Sequence, residues 1–175
     1  MPTTLTRVTH IARSGSSDVV APPAGWVGSK LGTRGDIVTL SSGAVDQSHA
    51  AGSTIADATR IAWLAGNVAS TVAAGALIPI EKFDDDTEVE LPIADSGNGT
   101  LGVPGAVSTP STTMPTLVGV QRGITRATDG TYYVNNAVTT TASCKVEIVR
   151  LGTRYPVEGF MTVICKVLPG ARVNQ

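Results

Sequence analysis

Glu88-Val89-Glu90-Leu91-Pro92-Ile93 is the stretch that decides the fold class of this chain. Charged residues at 88 and 90 alternate with apolar residues at 89, 91 and 93. Because successive side chains of a β-strand point to opposite faces, this period of two predicts a strand rather than a helix. We expect one face of the strand to lie in the core and the other to face water.

Similar short runs on both sides of this strand predict an all-β chain. Upstream, Ile37–Leu40 followed by Ser41-Ser42-Gly43 and Ala44-Val45 is typical of a strand and a tight turn. Downstream, residues 117–126 and 131–134 flank Asp129-Gly130, a dipeptide that favours a hairpin turn. Further strands are predicted at 143–151 and 160–168. About eight short strands and at most one helix indicate a small β-barrel or sandwich.

Three further segments have less regular sequence patterns. Residues 61–64 are predicted to form a strand, whereas residues 53–65 could instead form a short helix capped by Ser53 or Thr54. The β-branched and aromatic residues Ile61 and Trp63 favour the strand. Pro79 interrupts the apolar run 76–83 and predicts a sheet edge or a bulge. Residues 95–116, rich in Gly, Pro, Ser and Thr, are predicted to form a long loop.

The first 35 residues differ from the rest of the chain because they lack a clear period and contain many glycines and prolines. We therefore divide the chain into an extended N-terminal arm, residues 1–35, and a β-barrel or sandwich domain, residues 36–175. Trp26 lies within the arm. A tryptophan there needs a pocket, on its own domain or on a neighbouring subunit.

The composition favours association with other proteins. Charged residues make up 15% of the chain, against roughly 25% in an ordinary soluble domain. A surface with so little charge tends to associate, so we interpret the chain as a subunit whose surface is covered by neighbours. The alternative is a neutral monomer coated with Ser and Thr.

The same composition argues against two kinds of partner. The formal net charge is -1, so there is no basic excess to neutralise nucleic-acid phosphates. No run approaches the roughly 20 apolar residues that span a bilayer, and residues 1–15 show no secretory signal. We expect neither nucleic acid nor membrane as a partner.

No motif in the sequence predicts a cofactor, a metal site or an enzyme. His10 and His49 lie in no metal-binding spacing, and Cys144 and Cys165 are expected to be buried thiols rather than a required disulfide. Asp95-Ser96-Gly97 has the form of an aspartic-protease active site, and Leu117-Val118-Gly119 resembles a second element of that family. Only about 20 residues separate the two, too few for the intervening strands, so a dimeric aspartic protease is a remote alternative.

The densest acidic run comprises Asp84, Asp85, Asp86, Glu88 and Glu90. It lacks the glycine and the terminal glutamate of a calcium-binding loop of the EF-hand type. We interpret it as a solvated turn beside a strand. A weak cation site and contacts with a neighbour's arginine are the alternatives.

Four stretches together resemble the capsid decoration, or cement, proteins of tailed bacteriophages: 35–45, 73–80, 88–93 and 119–133. The resemblance implies a β-barrel or β-tulip fold and assembly at the symmetry axes of the shell. It also implies a subunit on the outer capsid surface of the virion that stabilises expanded heads. The implied partners are the major capsid protein and further copies of the chain, with a trimer favoured over a dimer.

The residues predicted at the assembly interface are those of the cationic arm and the acidic turn: Arg7, Arg13, Trp26, Lys30, Arg34, Asp84, Asp85 and Asp86. We expect the arm to reach over a neighbouring subunit; the alternative is a tail without a partner. A carbohydrate- or receptor-binding phage head or tail module is the main alternative function, and it requires surface aromatic residues. A minor head or tail subunit is a further alternative within the structural class.

Overall fold

The computed structural model describes residues 10–11, 17–20, 36–41, 44–48, 52–56, 59–64, 77–95, 114–127, 132–152 and 161–172, with the backbone alone described at 10–11, 17–20, 41 and 44–48. These residues form β-strands and three short 3-10 helices without an α-helix, which confirms the all-β prediction. No helix in the described ranges is long and apolar enough to cross a membrane.

The strands are β1 (His10–Ile11), β2 (Ser17–Val20), β3 (Ile37–Ser41), β4 (Ala44–Ser48), β5 (Ser53–Thr54), β6 (Arg60–Leu64), β7 (Ile78–Glu81), β8 (Glu88–Ala94), β9 (Gln121–Arg126), β10 (Tyr132–Asn135), β11 (Val146–Leu151) and β12 (Thr162–Val167). The 3-10 helices are η1 (Met114–Leu117), η2 (Thr141–Ser143) and η3 (Pro169–Ala171).

Five strands close into a barrel in the order β8-β10-β9-β11-β12, and β12 pairs with β8 to complete the circle. The β8–β10 pair is parallel and the other four pairs are antiparallel. Alternate residues of each strand point inward and form the main core, as Val89, Leu91 and Ile93 do in β8. Met114 and Leu117 of η1 are buried in the same core.

The remaining long strands form an antiparallel sheet in the order β2-β7-β6-β3-β4. One face of this sheet joins the barrel core through Ile37, Ile61 and Trp63. The opposite face forms a second buried cluster, whose members are Val38, Ala62, Leu64, Ile78 and Ile80. Both faces are therefore buried in the middle of the sheet. This explains why residues 61–64 of β6 are all apolar instead of alternating with polar residues.

Aromatic residues make contacts within the barrel, within the second sheet and between the two. The Tyr132 hydroxyl of β10 donates a hydrogen bond of 2.7 Å to the Ile37 carbonyl of β3. The rings of Trp63 and Phe83 meet edge to face with centroids 6.0 Å apart, an arrangement that stabilises aromatic pairs. Arg126 lies over the Tyr132 ring at 5.5 Å from its centroid.

The structure confirms most of the strands predicted from sequence and corrects some of their limits. The β3–β4 and β9–β10 pairs are antiparallel as predicted, and residues 60–64 form a strand rather than a helix. The run from Leu117 to Val120 is not part of a strand, because η1 ends at Leu117 and Gly119 adopts a positive φ of 83°. Strand β9 begins only at Gln121.

The prediction that one face of β8 lies in water is wrong. Glu90 is fully buried, and its Oε1 accepts a hydrogen bond of 2.5 Å from the Thr162 hydroxyl of β12. Its neighbour across the ladder, Ile164, is only 3% exposed. The outer face of this part of the barrel is thus covered, and the Thr162 hydroxyl satisfies one of the two oxygens of the buried carboxyl group.

Both cysteines are buried free thiols. Cys165 lies in the barrel core, and burial raises the pKa of its thiol well above the ordinary value. Cys144 lies between η2 and β11, where burial also raises the thiol pKa and the charges of Arg122 and Lys145 act in the opposite direction to a smaller extent. Neither thiol has the lowered pKa of a reactive cysteine.

We expect substitution of Gly152 to reveal how tightly the barrel closes. A Cβ atom there would lie 2.6 Å from the Thr162 carbonyl carbon and 2.7 Å from its oxygen. Because the clash is with backbone, Gly152→Ala should lower the free energy of unfolding by about 2–3 kcal/mol. Urea denaturation measures the effect.

Gly170→Ala is the matched control, because a Cβ at Gly170 meets no atom within 4 Å. Its stability should stay within about 1 kcal/mol of the native chain. Equal unfolding midpoints for the two variants would contradict the close approach of Gly152 to β12.

Candidate assembly surfaces

Two strands from the predicted arm pair with both sheets of the same chain. Strand β1 lies antiparallel to β8, with His10 opposite Glu90, and β2 lies antiparallel to β7 over Ser17–Val20. In a single copy the described part of the arm therefore extends the barrel sheet and the second sheet at once. Arg7, Arg13, Trp26, Lys30 and Arg34, the arm residues predicted at the interface, lie outside the described residues.

The acidic turn is organised by Thr87, a residue that the sequence argument did not single out. The Thr87 hydroxyl donates to Asp84 Oδ1 at 2.7 Å, and the Asp86 backbone N–H donates to the same oxygen at 3.0 Å. These hydrogen bonds, the one from Thr87 first, lower the pKa of Asp84 below its ordinary value. The turn thus fixes the entry of the chain into β8.

The turn also binds an arginine of its own chain. Arg172 Nη1 lies 2.5 Å from Asp85 Oδ1, and Arg172 Nε donates to the Val167 carbonyl at 2.7 Å. The Asp85 side chain is nevertheless 91% exposed. The Arg172 side chain is 14% exposed, so this ion pair joins a largely buried group to one in water, where screening weakens the attraction. A neighbour's arginine at Asp85 would have to share this carboxylate with Arg172.

Asp95, the acidic residue of the Asp-Ser-Gly motif, is hydrogen-bonded to the turn after β10. Its Oδ1 accepts a hydrogen bond of 2.8 Å from the Asn136 amide, whose own oxygen accepts one of 2.8 Å from Arg122 Nε. The backbone N–H of Asn136 also donates to the Ala94 carbonyl. This chain of hydrogen bonds fixes the end of β8 to the turn after β10. Gly119, in turn, donates its N–H to the Ile148 carbonyl.

The described aromatic side chains are buried in the interior. Trp63, Phe83, Tyr132 and Tyr133 are each at most 3% exposed. Stacking on a sugar ring requires an accessible aromatic face, so these four residues offer no carbohydrate platform. Trp26, Tyr155 and Phe160 lie outside the described residues.

Two large apolar side chains are exposed in the described part of the chain. Leu77 is 68% exposed and Val118 is 46% exposed. Leu77 immediately precedes β7, where Ile78 and Ile80 are buried and Pro79 is exposed. Because side chains alternate along a strand, Leu77 and Pro79 lie on the same face. We call this pair the β7 face.

A pocket of about 350 Å³ opens between η2 and η3 at one end of the barrel. Its walls are formed by Gln121, Thr141, Ala142, Cys144, Lys145, Leu168, Pro169, Gly170 and Ala171. Cys144 lines this pocket as a thiol whose pKa is raised by burial. Among the described residues, no three His, Cys, Asp or Glu side chains come together in a way that could hold a metal ion.

A scan against protein families, a search of curated proteins and a search of solved structures each return no match to this chain.

We expect Thr87→Val to raise the pKa of Asp84 toward its ordinary value, because the hydroxyl that stabilises the carboxylate is removed. A carboxyl group whose pKa is lowered by folding stabilises the protein above its unfolded pKa, and this contribution is lost as pH falls through the folded value. The destabilisation by this substitution should therefore be larger at neutral pH than in acid. An NMR titration of Asp84 and urea unfolding at both pH values measure these effects.

Thr139→Val, at an exposed position, is the control and should change neither quantity. If Asp84 titrates identically in the native chain and in Thr87→Val, the assigned cause of its lowered pKa is wrong.

Proposed function

We propose that this chain is a structural virion protein, a decoration subunit that binds the outer surface of a bacteriophage capsid and bridges neighbouring major capsid subunits. In this role it acts by packing against other proteins. Support comes from the resemblance of four sequence stretches to cement proteins, the 15% charged fraction, and the all-β fold. The contact surface is assigned to the β7 face and the neighbouring arm.

The β7 face is the observation that carries the proposal. A single exposed leucine on a protein surface needs no explanation. Leu77, however, is 68% exposed and shares its face with the exposed Pro79. Strand β7 lies between β6 and β2, and β2 comes from the arm. An apolar face and a chain segment able to extend toward other subunits thus meet at one place.

The energetics of such a contact suit a decoration protein. Fully burying one leucine side chain contributes about 1.5–3 kcal/mol, too little to hold a lone subunit on a shell. In a homo-oligomer, the same contact is repeated at each symmetry-related site, so the individual affinities combine. A trimer placed on a threefold position of the shell uses three such contacts together.

We expect Leu77→Asp to weaken binding of the chain to expanded heads of its phage by about tenfold or more, because a charge replaces the leucine that the proposed contact with the shell buries. The fold should be unaffected, since Leu77 is 68% exposed and exposed substitutions change stability by only about 0.5 kcal/mol. Co-sedimentation with heads measures binding, and thermal unfolding checks the fold.

Val118→Asp is the matched control, because Val118 is also an exposed apolar residue but lies beside η1 rather than β7. It should bind like the native chain. Equal binding by all three proteins would remove the β7 face from the contact surface. Binding of the native chain to tails, and not to heads, would make it a minor tail subunit instead.

A further inference from the structure

The two arm strands lie at the outside of the sheets that they extend. Among the described strands, β1 pairs with β8 alone and β2 with β7 alone. Both are held by backbone pairing, over two residues in β1 and four in β2. The edges of β7 and β8 thus act as docking sites for an extended segment, which is the geometry of strand addition in protein recognition.

The segment after β2 is long enough to carry the arm to another copy. Residues 21–35 lie between Val20 and the start of the domain, and they include Pro22 and Pro23. Fully extended, such a segment spans about 50 Å. A chain of this length folds into a body roughly 40 Å across. The linker can therefore reach a neighbouring subunit that touches its own.

We propose that the arm is exchanged between copies of the chain in the assembled oligomer. Strands β1 and β2 of one copy pair with β8 and β7 of the next, in the registers seen within the single copy. The backbone hydrogen bonds are the same in both arrangements, so exchange requires no new complementary surface. Only residues 12–16 separate the two strands, so one neighbour receives both. This inference rests on the proposed assembly function and gives the arm its partner.

The β2–β7 ladder provides a position where the exchange can be trapped. Val19 lies opposite Pro79. Proline has no N–H, so this pair fits a non-hydrogen-bonded position, where Cα atoms lie about 4.5 Å apart. A disulfide tolerates Cα separations of about 4.4–6.8 Å. The native Cys144 and Cys165 are buried thiols and compete little for the new bond.

The experiment mixes two full-length single variants, Val19→Cys and Pro79→Cys, by co-expression, followed by mild oxidation. In this mixture a disulfide between the two positions can form only between chains. We expect a covalent heterodimer to be the main product on a denaturing, non-reducing gel. The control replaces Pro79→Cys with Val118→Cys, an exposed position away from the ladder, and should give only background dimer.

A second preparation places both cysteines on one chain. It shows whether the disulfide between positions 19 and 79 forms within a chain or between chains. If the doubly substituted chain forms only an internal disulfide while the mixture of single variants gives background dimer, the arm stays on its own copy and the exchange is wrong. If neither preparation forms a disulfide, the exchange is also wrong, because the pairing of Val19 with Pro79 is then not formed. If the exchange is wrong and the chain still binds heads, the proposed decoration function stands. If the arms are exchanged and the chain does not bind heads, only the decoration function is wrong.

Discussion

The ladder between β8 and β12 is the interaction on which the rest of the structure depends. It runs from Thr162 opposite Pro92 to Lys166 opposite Glu88, and it joins residues such as Glu90 and Thr162 that are 72 positions apart in sequence. Without it the barrel is an open sheet with two free edges. Strand β8 also carries β10 and β1, so its position determines where the arm and the turn after β10 can lie.

Local features of this architecture could be predicted from sequence, whereas its closure could not. The period of two in residues 88–93 and the turn residues after Ile37–Leu40 act over a few positions, so they predicted β8 and the β3–β4 hairpin. The β8–β12 pairing is non-local, and no short pattern encodes it. For the same reason, the alternation in residues 88–93 predicted which face of β8 carries Glu90 but could not show that this face is covered.

The candidate surfaces show the same division between local and distant contacts. Asp84–Asp86 was recognisable as a turn, but its partner Arg172 is 87 residues from Asp85 in sequence. Leu77 belonged to an apolar run that predicted a strand, and only the register of β7 shows that Leu77 and Pro79 lie on the exposed side. Closing the barrel removes most of its sheet edges, and the arm strands pair with edge positions on β8 and β7. The second sheet, with β7 and the arm, is therefore the part of the molecule best suited to association.

The native mass of the purified chain tests the central claim, that it works as an assembly subunit, most directly. One chain has a mass of 17.9 kDa. Light scattering over a range of protein concentrations should give a stable multiple of that mass, with three copies favoured. A mass of 17.9 kDa at every concentration, together with no binding to expanded heads, would contradict the account.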